Sequence, residues 1–148
     1  MSRAFVKEQE DFEPPLELLQ PAPSPHPNYI TEAGLADLRA RLVQAQAEND
    51  EREIRRLQSR IAAAIPVSPA NQPHDRVAFG ATITLADEEA REYRYRIVGE
   101  DEVNPEQGQV SWMSPLARAL NGAQVGDWVT WERPAGDLDL EVRAIEYG

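Results

Sequence analysis

The stretch that decides the fold is RVAFGATITL at residues 76–85, followed after an acidic turn by YRYRIVGEDEVNPEQGQVSWMSPLARALNG at residues 93–122. Apolar residues occupy alternate positions in the first segment, and tyrosine and isoleucine alternate with arginine at the start of the second. A period of two is typical of a β-strand with one buried face. The stretch therefore predicts neighbouring strands at 77–85 and 93–98.

A short helix is predicted inside the same stretch, at residues 114–122. Ser114 is a favourable N-cap, Pro115 suits the first helical position, and Gly122 suits the position just past the end. Further strands are predicted at 110–113, 128–131 and 138–145. Strands with one short helix and short connections are typical of an antiparallel α+β domain.

Two helices are predicted ahead of this domain, within residues 29–64. Their apolar residues recur at 3-4-3 spacing and form two seams, Leu35, Leu38, Leu42 and Ala45, then Ile54, Leu57, Ile61 and Ala64. At about 100° per residue, one straight helix would place these seams on opposite sides. A turn at Glu48-Asn49-Asp50 instead lets them meet in a short antiparallel hairpin, with Thr31 as the first N-cap. One continuous helix bound to other chains is the alternative.

Proline marks the remaining segments. Residues 1–28 contain six of the twelve prolines and an excess of acids, which predicts a flexible or polyproline-like arm. Residues 65–75 contain Pro66, Pro69 and Pro73 and predict a linker. The expected order is an arm at 1–28, a hairpin at 29–64, a linker at 65–75 and a β domain at 76–148.

The net charge of −11 is unevenly distributed. It is −3 over residues 1–28, zero over 29–74 and −8 over 75–148. An acidic domain repels a phosphate backbone, so we expect a partner protein with a basic surface rather than autonomous nucleic-acid binding, although acidity can also serve solubility alone.

The chain has no cysteine, no apolar run near the roughly 18 residues of a membrane span and no secretory signal core. These features favour a cytoplasmic protein, which we expect to be a monomer.

Residues for self-contained catalysis are sparse. His26 and His74 are the only histidines, each lies beside prolines, and the glycines are isolated rather than grouped in a phosphate-binding loop. We therefore expect no enzyme, no cofactor and no bound metal.

The order of strands and short helix, together with the SPLAR segment at 114–118, resembles the C-terminal domain of the bacterial Gre transcript-cleavage factors, the GreA and GreB family. YITEAGLADLRARL at 29–42 resembles the start of the family's first helix, and EREIRRLQSRIAAA at 51–64 resembles the end of its second. The resemblance implies an FKBP-like domain that docks at the secondary channel of core RNA polymerase. In the family, a long helical hairpin carries acids to the active-site metal, whereas the shortened hairpin here resembles that of the Rnk proteins.

The resemblance also implies that the family's acidic tip segment is missing. Only Glu48, Asp50, Glu51 and Glu53 stand near the predicted tip. Arms of about 14–17 residues reach only about 21–25 Å, and a carboxylate has to come within about 2.6 Å of a metal ion to bind it. We therefore expect these acids to be a solvated helix turn rather than metal ligands.

The docking segment is better preserved. Ser114, Pro115, Leu116, Ala117 and Arg118 match the family's Ser-Pro-x-Ala-Arg segment, which implies a role in polymerase docking. The same residues also have structural uses, since Ser114 caps the helix and Leu116 packs inward with Leu120.

The three tryptophans, Trp112, Trp128 and Trp131, are expected in the core or on the sheet face rather than at a binding surface.

Two classes of function follow. The first is a noncatalytic regulator of transcription elongation that binds core RNA polymerase and competes with true Gre factors. The second is a peptidyl-prolyl isomerase or chaperone on the FKBP-like scaffold, which depends on fold analogy alone.

Overall fold

The computed structural model describes residues 26–147 and begins with a helical hairpin. Helix α1 spans Glu32–Ala47 and helix α2 spans Glu51–Ala63. Thr31 caps α1, because its Oγ1 accepts a hydrogen bond of 3.0 Å from the Gly34 N–H. Between the helices, Asn49 adopts a left-handed φ of 56°, a conformation that asparagine tolerates better than most residues. The predicted hairpin is thus confirmed, and the alternative of one continuous helix is wrong.

The two predicted seams form the core of the hairpin. Leu38 is 1% exposed, Ala45 is 4% exposed and Leu57 is fully buried, and the other seam residues pack around them. Ile30, which immediately precedes α1, is fully buried in the same cluster. The hairpin therefore has its own apolar core.

A small parallel sheet lies at the base of the hairpin, and the helical periodicity did not predict it. Strand β1 (Asn28–Thr31) precedes α1, strand β2 (Ala64–Val67) follows α2, and Asn28 pairs with Ala64. The predicted linker of residues 65–75 therefore opens with a strand. The predicted arm lies outside the described residues except at its end, where Asn28 opens β1.

The second sheet has five strands in the order β5-β4-β3-β7-β6. The strands are β3 (Thr82–Ala86), β4 (Glu92–Val98), β5 (Gln109–Ser111), β6 (Trp128–Trp131) and β7 (Leu138–Glu146). Helix α3 (Pro115–Leu120) connects β5 to β6. The α+β prediction is confirmed.

One strand pair departs from the antiparallel prediction. Strand β5 runs parallel to β4, with Arg96 opposite Gln109. The connection between them contains two 3₁₀ turns, Glu100–Glu102 and Pro105–Gln107. It returns the chain toward the N-terminal end of β4 before β5 begins. Because this crossover takes the place of a tight hairpin turn, β5 runs in the same direction as β4. The sheet therefore contains both parallel and antiparallel strand pairs.

The first predicted strand begins later than its alternation suggests. Strand β3 starts at Thr82, and the preceding residues form a turn in which Gly80 has a φ of +89°. Val77 and Ala81 are nevertheless buried. Alternation correctly predicted which residues enter the core, but it did not distinguish a strand from a turn that leads into one.

The core of the larger domain lies between one face of this sheet and α3. Its buried members include Ile83, Leu85, Leu116, Leu120 and Leu140. Within residues 26–147, no helix is long and apolar enough to cross a membrane.

Candidate functional site

The predicted docking segment forms the start of α3, and the fold divides its residues between support and surface. Ser114 caps the helix, since its Oγ accepts a hydrogen bond of 3.2 Å from the Ala117 N–H. Leu116 and Ala117 are each 2% exposed and belong to the core. Pro115 and Arg118 are exposed. Any partner that contacts this turn from solvent therefore meets Pro115 and Arg118 first.

A groove of about 700 Å³ adjoins this turn, and we call it the aromatic groove. Its wall contains the rings of Tyr29, Phe79 and Trp112. The Tyr29 ring centre lies 5.1 Å from that of Trp112 and 6.0 Å from that of Phe79. Ala117 and Arg118, which belong to α3, line the groove on one side. His26, the first residue that the structure describes, also lines it. The aromatic groove therefore connects the docking segment with the N-terminal end of the described chain.

Sequence reasoning missed this groove because its rings come from separate segments. Tyr29 lies on β1, Phe79 lies in the turn before β3, and Trp112 follows β5. Trp112 was expected in the core or on the sheet face, and its half-buried ring does pack against the core of the larger domain while it also lines the groove. Its indole Nε1 is shielded from water and has no acceptor among the described residues. The sequence shows only a tryptophan three residues before Pro115, with nothing to connect it to Tyr29.

The other two tryptophans lie on the sheet. The Trp131 ring packs edge-on against Tyr95 at 6.0 Å, and the Arg133 guanidinium lies 5.4 Å from its centre. Trp128 is 53% exposed on the edge strand β6. Neither Trp128 nor Trp131 lines the aromatic groove.

The predicted tip acids lie together at the turn of the hairpin. Glu48 ends α1, and its carboxylate accepts a hydrogen bond of 2.6 Å from the Gln44 side chain. Asp50 caps α2, because its Oδ1 accepts a hydrogen bond of 3.2 Å from the Glu53 N–H. Glu51 is the exposed first residue of α2. Among residues 26–147, no group of three or more histidine, aspartate or glutamate side chains is arranged to hold a metal ion.

Glu53 is held by a neighbour on the same helix. Arg56 donates to its carboxylate at 2.6 and 3.1 Å, and this hydrogen bonding lowers the pKa of Glu53 despite an opposing effect of burial. Glu48, Asp50 and Glu53 are thus engaged in capping and local pairing.

The hairpin is fixed to the larger domain by an ion pair at its base. Arg60, in the last turn of α2, donates from Nε to both carboxylate oxygens of Asp101 at 2.9 and 3.1 Å. A terminal nitrogen of Arg60 donates to the Asn28 side chain at 2.9 Å. The Arg60 and Asp101 side chains are only 20% and 12% exposed. This pair connects three segments that are far apart in sequence, and no local pattern marked it.

Glu102 makes a second connection at the base of α1. Its carboxylate accepts hydrogen bonds from the backbone N–H groups of Thr31 and Gly99, both at 3.0 Å, and from the Thr31 hydroxyl. Gly34 leaves the space that this carboxylate occupies, because a Cβ at Gly34 would lie 2.3 Å from the Glu102 carboxyl carbon. Both helices are thereby fixed to one acidic turn of the larger domain.

Asp87 organises the turn between β3 and β4 and is 4% exposed. Burial would raise its pKa, but N–H donors from Arg91 and Glu89 and the Tyr93 hydroxyl outweigh burial, and the pKa of Asp87 is lowered. Asp87 is therefore a structural carboxylate that stays ionised in the folded protein.

Comparison with known proteins identifies relatives of the larger domain. The family model described as "Transcription elongation factor, GreA/GreB, C-term" matches residues 72–147, which are half of the chain. Transcription elongation factor GreA of a Nitratiruptor species is 46% identical over 88 residues, covering 59% of this chain and 54% of that protein. Transcription elongation factor GreB of Neisseria meningitidis serogroup B is 42% identical over 98 residues, covering 66% of this chain and 60% of that protein.

A solved structure, of prokaryotic transcription elongation factor GreA/GreB from Nitrosomonas europaea, aligns with 80% of this chain and 98% of that chain at 24% identity and a TM-score of 0.47. The chain spans less than two thirds of the length of the GreA and GreB relatives described above. The family match nevertheless covers every strand of the five-stranded sheet, together with α3 and the segment 114–118. The chain therefore belongs to the GreA/GreB transcription elongation factor family, whose C-terminal domain it carries at residues 72–147.

Proposed function

We propose that this protein regulates transcription elongation by binding core RNA polymerase at the entrance of the secondary channel. The observation that carries the proposal is the GreA/GreB C-terminal domain at residues 72–147, with the SPLAR segment placed at the surface turn that begins α3. The contact surface on this chain would be Pro115 and Arg118, with Ser114, Leu116 and Ala117 holding the turn in place.

We further propose that the protein does not stimulate transcript cleavage. Helix α1 has 16 residues and α2 has 13. At about 1.5 Å per residue these helices are only about 24 and 20 Å long. The tip residues Glu48 and Asp50 are engaged in local hydrogen bonds. A hairpin of this length would occupy the channel entrance without delivering a carboxylate to the metal.

Attachment of the hairpin supports the same conclusion. Arg60 and Glu102 hold the bases of α2 and α1 against the larger domain. Because both helices are fixed, the tip gains little reach by swinging on a hinge. Regulation would then come from occupancy, and the protein would compete with a cleavage-stimulating Gre factor for the same entrance.

The test of activity uses a stalled elongation complex with backtracked RNA. The protein alone should leave the RNA uncleaved, and increasing amounts should suppress cleavage that is stimulated by added GreA. Glu48→Gln combined with Asp50→Asn should preserve this inhibition, since asparagine retains the helix cap while the charges are lost. Cleavage by the protein that disappears in this double variant would refute the noncatalytic proposal.

The test of docking uses Pro115→Asp and Arg118→Glu in binding to core polymerase. Both positions are exposed, and Ser114 still caps the helix, so the fold should remain intact. Pro134→Asp and Arg94→Glu are matched controls at exposed positions on other parts of the domain. Substitution of Ala117 is avoided because it is 2% exposed and a large side chain there would overpack the core. Equal binding by all variants would exclude this turn as the docking surface.

A peptidyl-prolyl isomerase remains the second candidate, and the aromatic groove is the observation that favours it. Tyr29, Phe79 and Trp112 form an apolar wall beside α3, and such a wall suits a proline-containing peptide. A proline-peptide isomerisation assay tests this function. Acceleration that is lost in Trp112→Ala but kept in Trp128→Ala would support the isomerase over the regulator.

A further inference from the structure

Strand β6 lies at one edge of the five-stranded sheet, and β7 is its only paired neighbour among residues 26–147. The Val142 N–H donates to the Asp127 carbonyl at 2.8 Å, so these two residues form a hydrogen-bonded pair just ahead of the strand. Bonded and non-bonded pairs alternate along an antiparallel ladder. The backbone N–H and carbonyl groups of Trp128 and Thr130 therefore point away from β7, toward the open edge.

The side chains on the solvent face of β6 form a shallow groove of about 480 Å³. Trp128, which is 53% exposed, and Thr130 line it from β6. Asp139, the cross-strand partner of Thr130 on β7, and Glu88, in the turn between β3 and β4, complete the lining on the acidic side. We call the surface of Trp128, Thr130, Asp139 and Glu88 the acidic edge.

The carboxylates of the acidic edge are not neutralised by neighbouring cations. Glu88 and Asp139 are exposed, and neither has an ion-pair partner in the part of the chain that the structure describes. Arg91 lies near them, but it already pairs with Asp87 at 3.1 Å and with Glu89 at 3.1 Å. A surface of this kind attracts cationic groups and repels anionic ones.

We propose that a cationic segment of a partner protein binds along the acidic edge in an extended conformation and adds a strand to the sheet beside β6. The open backbone groups of Trp128 and Thr130 pair with the segment, as in other cases of strand addition. Its lysine or arginine side chains contact the Trp128 ring and the two carboxylates. The acidic edge shares no residue with the segment 114–118 or with the aromatic groove, so it is an interaction surface in addition to the proposed polymerase contact.

Charge argues against a second copy of this chain as the added strand. Two β6 edges brought together would place Glu88 and Asp139 of both copies close to one another, and like charges across paired strands are destabilising. Residues 75–148 carry a net charge of −8, which adds to this repulsion. The same acids that discourage pairing between copies favour a cationic strand.

Fluorescence anisotropy of a labelled TKTKTKTKT peptide, titrated with the full-length protein, tests the binding. Alternation places every lysine on one face of an extended chain, and the matched peptide TETETETET reverses the charge. The lysine peptide should bind, and its affinity should fall several-fold when salt is raised from about 50 mM to about 300 mM. The glutamate peptide should not bind. Equal binding of the two peptides, or no binding of the lysine peptide, would overturn the proposal.

Charge variants place the bound peptide on the molecule. Glu88→Gln combined with Asp139→Asn should weaken binding of the lysine peptide several-fold, and asparagine keeps an acceptor for the Thr130 hydroxyl. Asp75→Asn combined with Glu106→Gln removes the same charge at exposed positions outside the acidic edge and should leave the affinity unchanged. Equal effects of the two double variants would show that the peptide responds to total charge alone and would overturn the site.

A backbone variant tests strand addition separately from charge. Thr130→Pro removes the outward N–H without removing a bond to β7, and proline is tolerated in an edge strand at such a position. Thr130→Val keeps the N–H and loses only the hydroxyl that donates to Asp139 at 2.7 Å. The lysine peptide should bind Thr130→Pro several-fold more weakly than Thr130→Val. Equal affinities in two folded variants would overturn strand addition.

Amide hydrogen exchange of the wild type needs no variant. Without peptide, the N–H groups of Trp128 and Thr130 should exchange faster than those of Val129 and Trp131, which bond to β7. Saturating lysine peptide should slow the first two several-fold. Binding that leaves them unprotected overturns strand addition. Protection without peptide also overturns the proposal, because a second copy covers the edge if protection falls on dilution, and the same chain covers it if protection is constant.

Discussion

Arg60 is the residue whose replacement should most weaken the connection between the hairpin and the larger domain. Arg60→Met keeps the apolar stem of the side chain but removes its hydrogen bonds to Asp101 and Asn28. Hydrogen bonds to charged groups contribute about 1.5–3 kcal/mol, and fully exposed ion pairs contribute at most about 1 kcal/mol. With the two side chains 20% and 12% exposed, we expect a loss of about 2 kcal/mol in the free energy of unfolding.

The assay is a double-mutant cycle measured by urea denaturation. Arg60→Met and Asp101→Asn should show a coupling energy of about 1–2 kcal/mol, and Arg60→Met should lower Tm by roughly 4–8 °C. The control is the Asp37–Arg41 pair, which is also close at 2.7 Å but has side chains about half exposed. Its cycle should give about 0.5 kcal/mol or less. If the two cycles give equal coupling, partial burial does not strengthen the Arg60 pair and the reasoning is refuted.

Three further predictions concern single positions. Gly34→Ala should destabilise the protein by about 1 kcal/mol, because the added Cβ displaces the Glu102 carboxylate. In a Glu102→Ala background the same change should be stabilising, because only the higher helix propensity of alanine remains. Urea denaturation of the protein with and without Gly34→Ala, in each background, checks the change of sign. Asn49→Ala should lower the free energy of unfolding by about 1 kcal/mol, because alanine is strained in the left-handed backbone conformation of this position. Asn49→Gly should leave the free energy of unfolding unchanged. Thermal denaturation measures both variants, and equal losses would contradict this account. Because the pKa of Asp87 is lowered in the folded protein, its stabilising contribution should be present above its unfolded pKa of about 3.9 and disappear as the pH falls below that value. Stability measured between about pH 6 and about pH 3 should therefore decline less in Asp87→Asn than in the wild type, and parallel curves would contradict the assignment.

The parts of the fold that the sequence predicted correctly are those with local causes. The seams of Leu38 and Leu57, the cap at Thr31 and the turn at Asn49 follow from spacing and from the preferences of single residues. The same is true of α3, where Ser114 and Pro115 mark the start. Periodicity and capping act over a few residues, so they are visible in the sequence without knowledge of the tertiary structure.

The parts that were missed depend on contacts between distant segments. The pairing of β1 with β2, the parallel β5 and the Arg60–Asp101 pair each join residues whose partner no local pattern specifies. The candidate site shows the same division. Sequence predicted the capped helix start at residues 114–118 but could not predict the groove beside it, because Tyr29 and Trp112 become neighbours only when β1 packs on the larger domain.

The length of the hairpin and its fixed base together determine what the tip can do. Since Arg60 and Glu102 hold both helices at their bases, the tip gains reach only if the helices lengthen. Each added heptad in both arms would extend the hairpin by about 10 Å, and the apolar seams would have to continue in register to keep the arms paired. Here the seams end at Ala45 and begin again at Ile54, on either side of a turn whose acids cap and pair locally. The arms are thus paired as far as the turn, and the chain from Glu48 to Asp50 closes the hairpin rather than extending it.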